Sequence, residues 1–396
     1  SKTFATFSTH YGSIDNHFQL AGQDPVRVPD GIAHFLEHKM FEEPDGDVFA
    51  KFSARGASAN AYTSFDRTVY LFSAASKVEE NLTTLLDFVQ HPYFTEESVN
   101  KEKGIIGQEI NMYQDNPDWR LYYGLLGALF QKHPVRIDIA GTIDSISQIT
   151  RDTLLQCYET FYHPSNMMVL VAGGVDPERI SELVWHNQAG KSYAKQEEIK
   201  RLYEPEPEEV NERIHRIQLP VALPKCLIGF KETAMTEPGE ESLKKEAATK
   251  LMLDIMFSHS SECYQQLYEE GLVADNFGLE YNLYPQFAYS AIGGDTKDPQ
   301  RLVERLKQFI SRYLQEGLNA AVFERSKRKK IGGFLRMLNS LETIAGEFTR
   351  AKFRGMDWFE LLPVYESLTL QDVEQRMREH LNLDKMSVCM VTNEVI

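Results

Sequence analysis

The chain has 396 residues, of which 42% are hydrophobic and 25% charged, the profile of a soluble globular protein too long for one ordinary core. Its 58 acidic and 42 basic residues leave a net charge of −16, which argues against nucleic acid or an anionic membrane as a partner. No apolar run approaches the roughly 18 residues of a membrane-spanning helix. In chain order, Phe4 to Gly12 has a β-like pattern, and Ile32 to Phe41 reads as a helix with Asp30 placed to cap it. Ala57–Tyr62 and Thr68–Ala74 read as a strand pair around a turn at Ser64-Phe65-Asp66. Val78–Val89 and Glu96–Tyr113 follow as helices, the second opened by Thr95. Further helices run to about Thr160, then a buried strand at Asn166–Gly173 and a helix at Asp176–Trp185. From about Gly190 to Asn211 the chain becomes charged and Pro-containing, the composition of a linker.

After that stretch the order of elements returns. Cys226–Lys231 reads as a strand, Leu243–Phe257 as a helix, Asn276–Tyr281 and Gln286–Gly293 as strands, and Arg301–Leu314 and Val322–Leu338 as helices. Gly56 and Gly271 are 215 positions apart, and Asn166 and Lys385 219. A nearly constant offset implies duplication of one unit, so the expected class is α+β: two homologous halves, each a mostly antiparallel sheet with helices on one side. The expected division is a domain over 1–190, a linker over 191–211 and a second domain over 212–396. The closing strand of the second half falls within 384–395.

The chemistry concentrates in His34-Phe35-Leu36-Glu37-His38. Residues four apart on a helix share a face, so His34 and His38 can offer imidazoles to one metal ion. Zinc suits two imidazoles and a carboxylate with one position left open. Glu37 lies beside the same face, where a carboxylate can take a proton from an attacking water and return it to a leaving amine. Phe35 and Leu36 point elsewhere and can anchor the helix. The spacing is that of the inverted zincin motif; the bland alternative is a pair of buried or capping histidines. A third ligand is available on the later helix, where Glu102 and Glu109 are two turns apart on one face. Glu109, between small and apolar neighbours, is either solvated or buried for a purpose.

These residues resemble the pitrilysin–insulinase zinc metallopeptidases, and within them the mitochondrial-processing-peptidase-like subfamily of bacterial size. The segments that carry the resemblance are GIAHFLEHKMFE at 31–42, SANAYTSFDRTVYLF at 58–72, EKGIIGQEINMYQDNP at 102–117 and YHPSNMMVLVAGGV at 162–175. The resemblance implies one zinc ion per chain on His34, His38 and Glu109, with Glu37 as catalytic base. It implies that Glu102 assists catalysis or positions a ligand. It also implies that Asn60, Ala61 and Tyr62 lie on an exposed sheet edge to which a peptide substrate adds by main-chain hydrogen bonds. The expected activity is endopeptidase cleavage of peptides or unfolded segments, in a clam shell closed by two chains.

The second half departs from the family pattern. Where an Arg and a Tyr that contact substrate are expected, Tyr268 stands at the first position and Ala274 or Asp275 at the second. The helix equivalent to the HxxEH helix reads Lys250-Leu251-Met252-Leu253-Asp254. Three arrangements accommodate this: the zinc subunit of a heterodimer whose homologous partner lacks HxxEH, a homodimer with substituted contacts, or a non-catalytic zinc-binding scaffold of the same fold. A hydrolase of another substrate class is a further alternative. Four dispersed cysteines without a CxxC point to a reducing compartment, and bacterial cytoplasm is the expected location. No secretory signal is evident, and a segment ahead of Ser1 is left open.

Overall fold

A computed structural model describes residues 2–44 and 46–393, so Glu394 and Val395 of the closing repeat lie outside the described residues. The chain forms two compact units. The first comprises residues 1–111, 137–203 and 338–353; the second comprises 112–136, 204–337 and 354–396.

The first unit is built on strands β1 (Thr3–Thr9), β2 (Ser58–Thr63), β3 (Thr68–Ala74) and β4 (Met167–Gly173). They form an antiparallel sheet in the order β2-β3-β1-β4. Its helices are α1 (Ile32–Met40), α2 (Val78–Val89), α3 (Glu96–Gln114), α5 (Arg151–Phe161) and α6 (Pro177–Ala189). α4 (Pro117–Leu129) belongs to the second unit. Side chains alternate between the faces of a strand. One face of the sheet accordingly carries Ala5, Phe7, Tyr70 and Phe72, all buried, and α1 and α2 pack against β3. Apolar residues of α2 at Leu82, Leu85, Leu86 and Val89 recur at helical spacing and are fully buried there.

The second unit repeats the plan. β5 (Ile214–Gln218), β6 (Lys225–Lys231), β7 (Gly278–Leu283), β8 (Ala288–Asp295) and β9 (Met386–Thr392) form a sheet in the order β5-β9-β6-β8-β7. Removing β5, which pairs parallel to β9, leaves the strand order of the first unit. The helices are α7 (Glu240–Phe257), α8 (Pro299–Glu316), α9 (Ala320–Met337) and α11 (Leu370–His380). The expected mixed fold, antiparallel sheets and duplication are therefore present in the strand connectivity.

Each unit also takes a helix from the other half of the sequence. α10 (Leu341–Phe353) packs on β1 and β4 in the first unit, and α4 packs on β9, β6 and β5 in the second. A sheet whose apolar residues lie on both faces needs cover on both. Gly124 allows the close approach of α4: a Cβ there would lie 2.7 Å from Cys389 Sγ and 2.8 Å from Ile217 Cδ1.

Three local expectations are corrected. Asp30 does not cap α1: Gly31 holds the N-cap position at φ 88°, and the Asp30 carboxylate accepts from the Asn16 amide. Residues 167–172 of β4 are half-buried rather than buried, because β4 is an edge of its sheet, whereas β9 in the second unit is covered by β5 and buried throughout. Inside the charged stretch, Ile199–Arg201 forms a strand against His17–Leu20, and Arg201 pairs with the buried Asp15 at 2.9 Å. Thr95 does cap α3: its hydroxyl accepts from the Ser98 N–H at 3.1 Å, and the Ser98 hydroxyl accepts from the Thr95 N–H.

Candidate metal centre

α1 is fixed at its start and along its buried face. Gly31 sits so close to Ala140 that a Cβ would lie 2.5 Å from its carbonyl oxygen, and its φ of 88° is one that side chains rarely adopt. Ser145 donates to the Asp30 carbonyl at 2.8 Å, tying the preceding residue to the same loop. Phe35 and Leu36 are wholly buried, as expected for anchors. His34 and His38 then emerge on one face, with ring centroids 4.6 Å apart.

α3 supplies the carboxylates. His34 Nε2 lies 3.8 Å from Glu109 Oε1, and His38 Nε2 lies 3.5 Å from Glu109 Oε2. One ligand atom from each of the three residues falls within 4.8 Å of the others, the one such grouping among the described residues. Tetrahedral zinc with bonds near 2.1 Å spaces its ligand atoms about 3.4 Å apart. The three side chains therefore fit a zinc ion after small side-chain adjustment. The electrostatics agree. Burial and the neighbouring His38 push the His34 pKa down to about 4, so its imidazole is neutral, the form that ligates. His34 Nδ1 is buried with no hydrogen-bond partner.

Glu102 does something different. Its Oε1 lies 3.0 Å from His38 Nδ1, on the side of the ring away from Glu109. A carboxylate there selects the tautomer that leaves Nε2 free for a metal, the usual second partner of a ligating histidine. Of the two roles expected for Glu102, the geometry favours positioning a ligand. Burial disfavours the charged form of His38, but the hydrogen bond it donates to Glu102 and the charges of Glu37 and Glu109 outweigh it, and its pKa is raised.

Glu37 is buried beside these ligands. Its Oε2 accepts from the Thr63 hydroxyl at 2.7 Å. Burial raises its pKa, and the Thr63 hydrogen bond and His38 only partly offset that. Tyr70 and Tyr162, joined hydroxyl to hydroxyl at 2.8 Å, form a buried floor close enough to feel the Glu37 charge.

A cleft of about 500 Å³ opens beside this group, lined by Glu37, His38, Phe41, Phe49, Asn60, Ala61 and Glu102 among others. It brings two of the three expected substrate-binding residues to the base and one ligand. Asn60 Oδ1 accepts from the Ala61 N–H at 2.9 Å. Tyr62 instead lines a separate cavity of about 230 Å³ with Thr6, Arg67 and Glu342. Along β2 the exposed Ser58, Asn60 and Tyr62 alternate with the half-buried Ala59, Ala61 and Thr63. β2 is the end strand of its sheet, so its outer edge is unpaired among the described residues. Thr63 is expected only as part of the edge strand Asn60-Ala61-Tyr62-Thr63, not as a partner of Glu37, although its period-two relation to Ala61 places it on the face toward α1.

Residues 27–143 match the family model for insulinase (peptidase family M16), and residues 148–330 that for the peptidase M16 inactive domain. A relative from Bacillus subtilis (strain 168), named uncharacterized zinc protease YmfH, is 52% identical over 392 residues, 99% of this chain and 91% of the relative. The chain belongs to peptidase family M16. A crystal structure of an M16-like peptidase from Alicyclobacillus acidocaldarius is 42% identical with a TM-score of 0.95, covering 98% of this chain and 92% of that one. An Arabidopsis thaliana protein named as a mitochondrial-processing peptidase subunit beta is 31% identical over 39% of this M16 chain and 30% of its own length. Among the described residues, no helix is long and apolar enough to cross a membrane.

Proposed function

We propose that this chain is a zinc-dependent endopeptidase that hydrolyses peptides or unfolded segments with His34, His38 and Glu109 as metal ligands and Glu37 as base. The observation that carries the reading is the convergence of three ligand atoms within 4.8 Å of one another, two of them on the helix that also carries Glu37, a buried carboxylate held by a hydrogen bond. A bound zinc ion would supply Lewis acidity toward water and the scissile carbonyl. Glu37 accepts a proton as water adds to the carbonyl carbon, and delivers it to the amine nitrogen as the C–N bond breaks. Glu102 holds His38 in its ligating tautomer. The outer edge of β2 offers main-chain groups at Ala61 to an extended peptide, with Asn60 giving up its own contact there.

The departures at Tyr268 and Asp275 support a two-chain enzyme in which a homologous partner completes the substrate site, in keeping with the relative named as a subunit. Four buried free cysteines support a reducing compartment such as the bacterial cytoplasm. The test is cleavage of a mixed set of unfolded peptides of roughly 10–40 residues by the zinc-loaded chain. Glu37→Gln should retain zinc and abolish turnover, and His38→Ala should lose the metal. Turnover by Glu37→Gln at the wild-type rate would refute the mechanism. Zinc bound without cleavage, even with a homologous partner present, would instead favour the scaffold reading that the match to an inactive-domain model keeps in play.

A further inference from the structure

We infer that Thr63 is a positioning residue for the catalytic base, so that the strand offered to substrate also sets the direction of the Glu37 carboxylate. The inference rests on the peptidase reading above and deepens it. A glutamate side chain has several rotatable bonds, and a base that wanders loses its alignment with the attacking water. α1 fixes the Glu37 backbone, because the preceding Phe35 and Leu36 are wholly buried. It does not fix the carboxylate. The polar contact that does is the Thr63 hydroxyl, which donates to Oε2 at 2.7 Å and leaves Oε1 for proton transfer.

Thr63 is itself well held. It closes β2, paired with Thr68 across the ladder, and Ser64 N–H bonds the Arg67 carbonyl at 2.7 Å to complete the turn. Its side chain shares a face with Ala59 and Ala61, opposite Asn60 and Tyr62. Two residues upstream, Ala61 lines the cleft that Glu37 also lines. A peptide added to the edge of β2 and the base that attacks it are therefore referenced to one rigid strand. Small errors in that relation are costly, since a misplacement of about 1 Å can cost roughly 100-fold.

The experiment compares Thr63→Val, which keeps shape and strand preference, with Thr63→Ser, which keeps the hydroxyl. Thr63→Val should lower kcat roughly 10–100-fold with KM, zinc stoichiometry and Tm near wild type. Thr63→Ser should recover kcat to within a few fold. Adding Thr63→Val to Glu37→Gln should cost nothing further, because the base it positions is gone. Metal-free Thr63→Val should bind an unfolded peptide as the metal-free wild type does. Wild-type kcat in Thr63→Val would overturn the inference while leaving the peptidase reading intact. A loss shared equally by the Ser variant, or accompanied by loss of zinc, would reduce Thr63 to a structural role and overturn it too. Full activity in Glu37→Gln would instead remove the peptidase reading itself.

Discussion

Replacing Glu102 separates a residue that positions a ligand from one that binds the metal or moves protons. The contact at stake is His38 Nδ1 to Glu102 Oε1 at 3.0 Å, with side chains 27% and 15% exposed. Loss of such a partner typically costs 10–100-fold in metal affinity, about 1.4–2.7 kcal/mol. Glu102→Gln keeps an acceptor for the Nδ1 proton but drops the charge, so it should weaken zinc binding about tenfold. Glu102→Ala leaves the imidazole to solvent and should approach the 100-fold end. The assay is competition for zinc against a chromogenic chelator of known affinity, followed by peptide turnover at saturating zinc. Activity per bound zinc should fall by no more than a few fold in either variant. Unchanged affinity in Glu102→Ala would refute the positioning role. Metal loss as complete as in His38→Ala would make Glu102 a ligand. Normal affinity with turnover reduced about a thousandfold would make it a proton shuttle.

Zinc affinity should fall as pH drops through the raised pKa of His38, about tenfold per pH unit as one proton competes with the metal, while His34 near 4 sets no limit above that; titrations in buffers of different pH measure it. Gly12→Ala should destabilise the first unit by about 1–3 kcal/mol, because the new Cβ would lie 2.3 Å from the backbone oxygen of Phe65. Gly124→Ala meets only side-chain atoms and should cost less; thermal unfolding of the two variants ranks them. Burial holds His133 in the second unit near pKa 3, against an unfolded value of about 6.5. The unfolded state binds the extra proton, so this contribution is complete above pH ~6.5 and is lost as pH falls toward 3, amounting to about 2–3 kcal/mol by pH ~4.5. His133→Asn should flatten that limb of a stability profile measured by urea unfolding.

Much of the candidate metal centre was legible because its information is local. A spacing of four puts His34 and His38 on one helical face whatever the rest of the chain does, and Glu109 lies two turns from Glu102 by the same geometry. The duplicated sheet was also legible, since strand alternation and turn residues recur at a steady offset. What stayed hidden depends on partners distant in sequence. Thr63 reads as one more strand residue until β2 is laid beside α1. The Asp30 carboxylate would suit a cap, but Asn16 claims it, and Gly31 takes the turn. Periodicity tells that α4 and α10 have apolar faces, not which sheet each face covers. The half-burial of β4 follows from its place at the sheet edge, which its apolar composition does not reveal.

The two units place different charges on the same frame, and this accounts for the one candidate metal grouping among the described residues more fully than the absence of a motif does. In the first unit the earlier helix, α1, brings imidazoles and the later one, α3, brings carboxylates, a set that attracts a divalent cation. In the second unit the signs are reversed. α7 brings Asp254, and α9 answers with Lys329 at 2.9 Å and Lys330 at 3.5 Å. Lys250, at the position that begins the equivalent pentapeptide, pairs with Glu246 on its own helix at 2.6 Å. Two ammonium groups on Oδ1 of one nearly buried carboxylate disfavour a metal ion there. The same helix pair can thus be closed by zinc or by lysines.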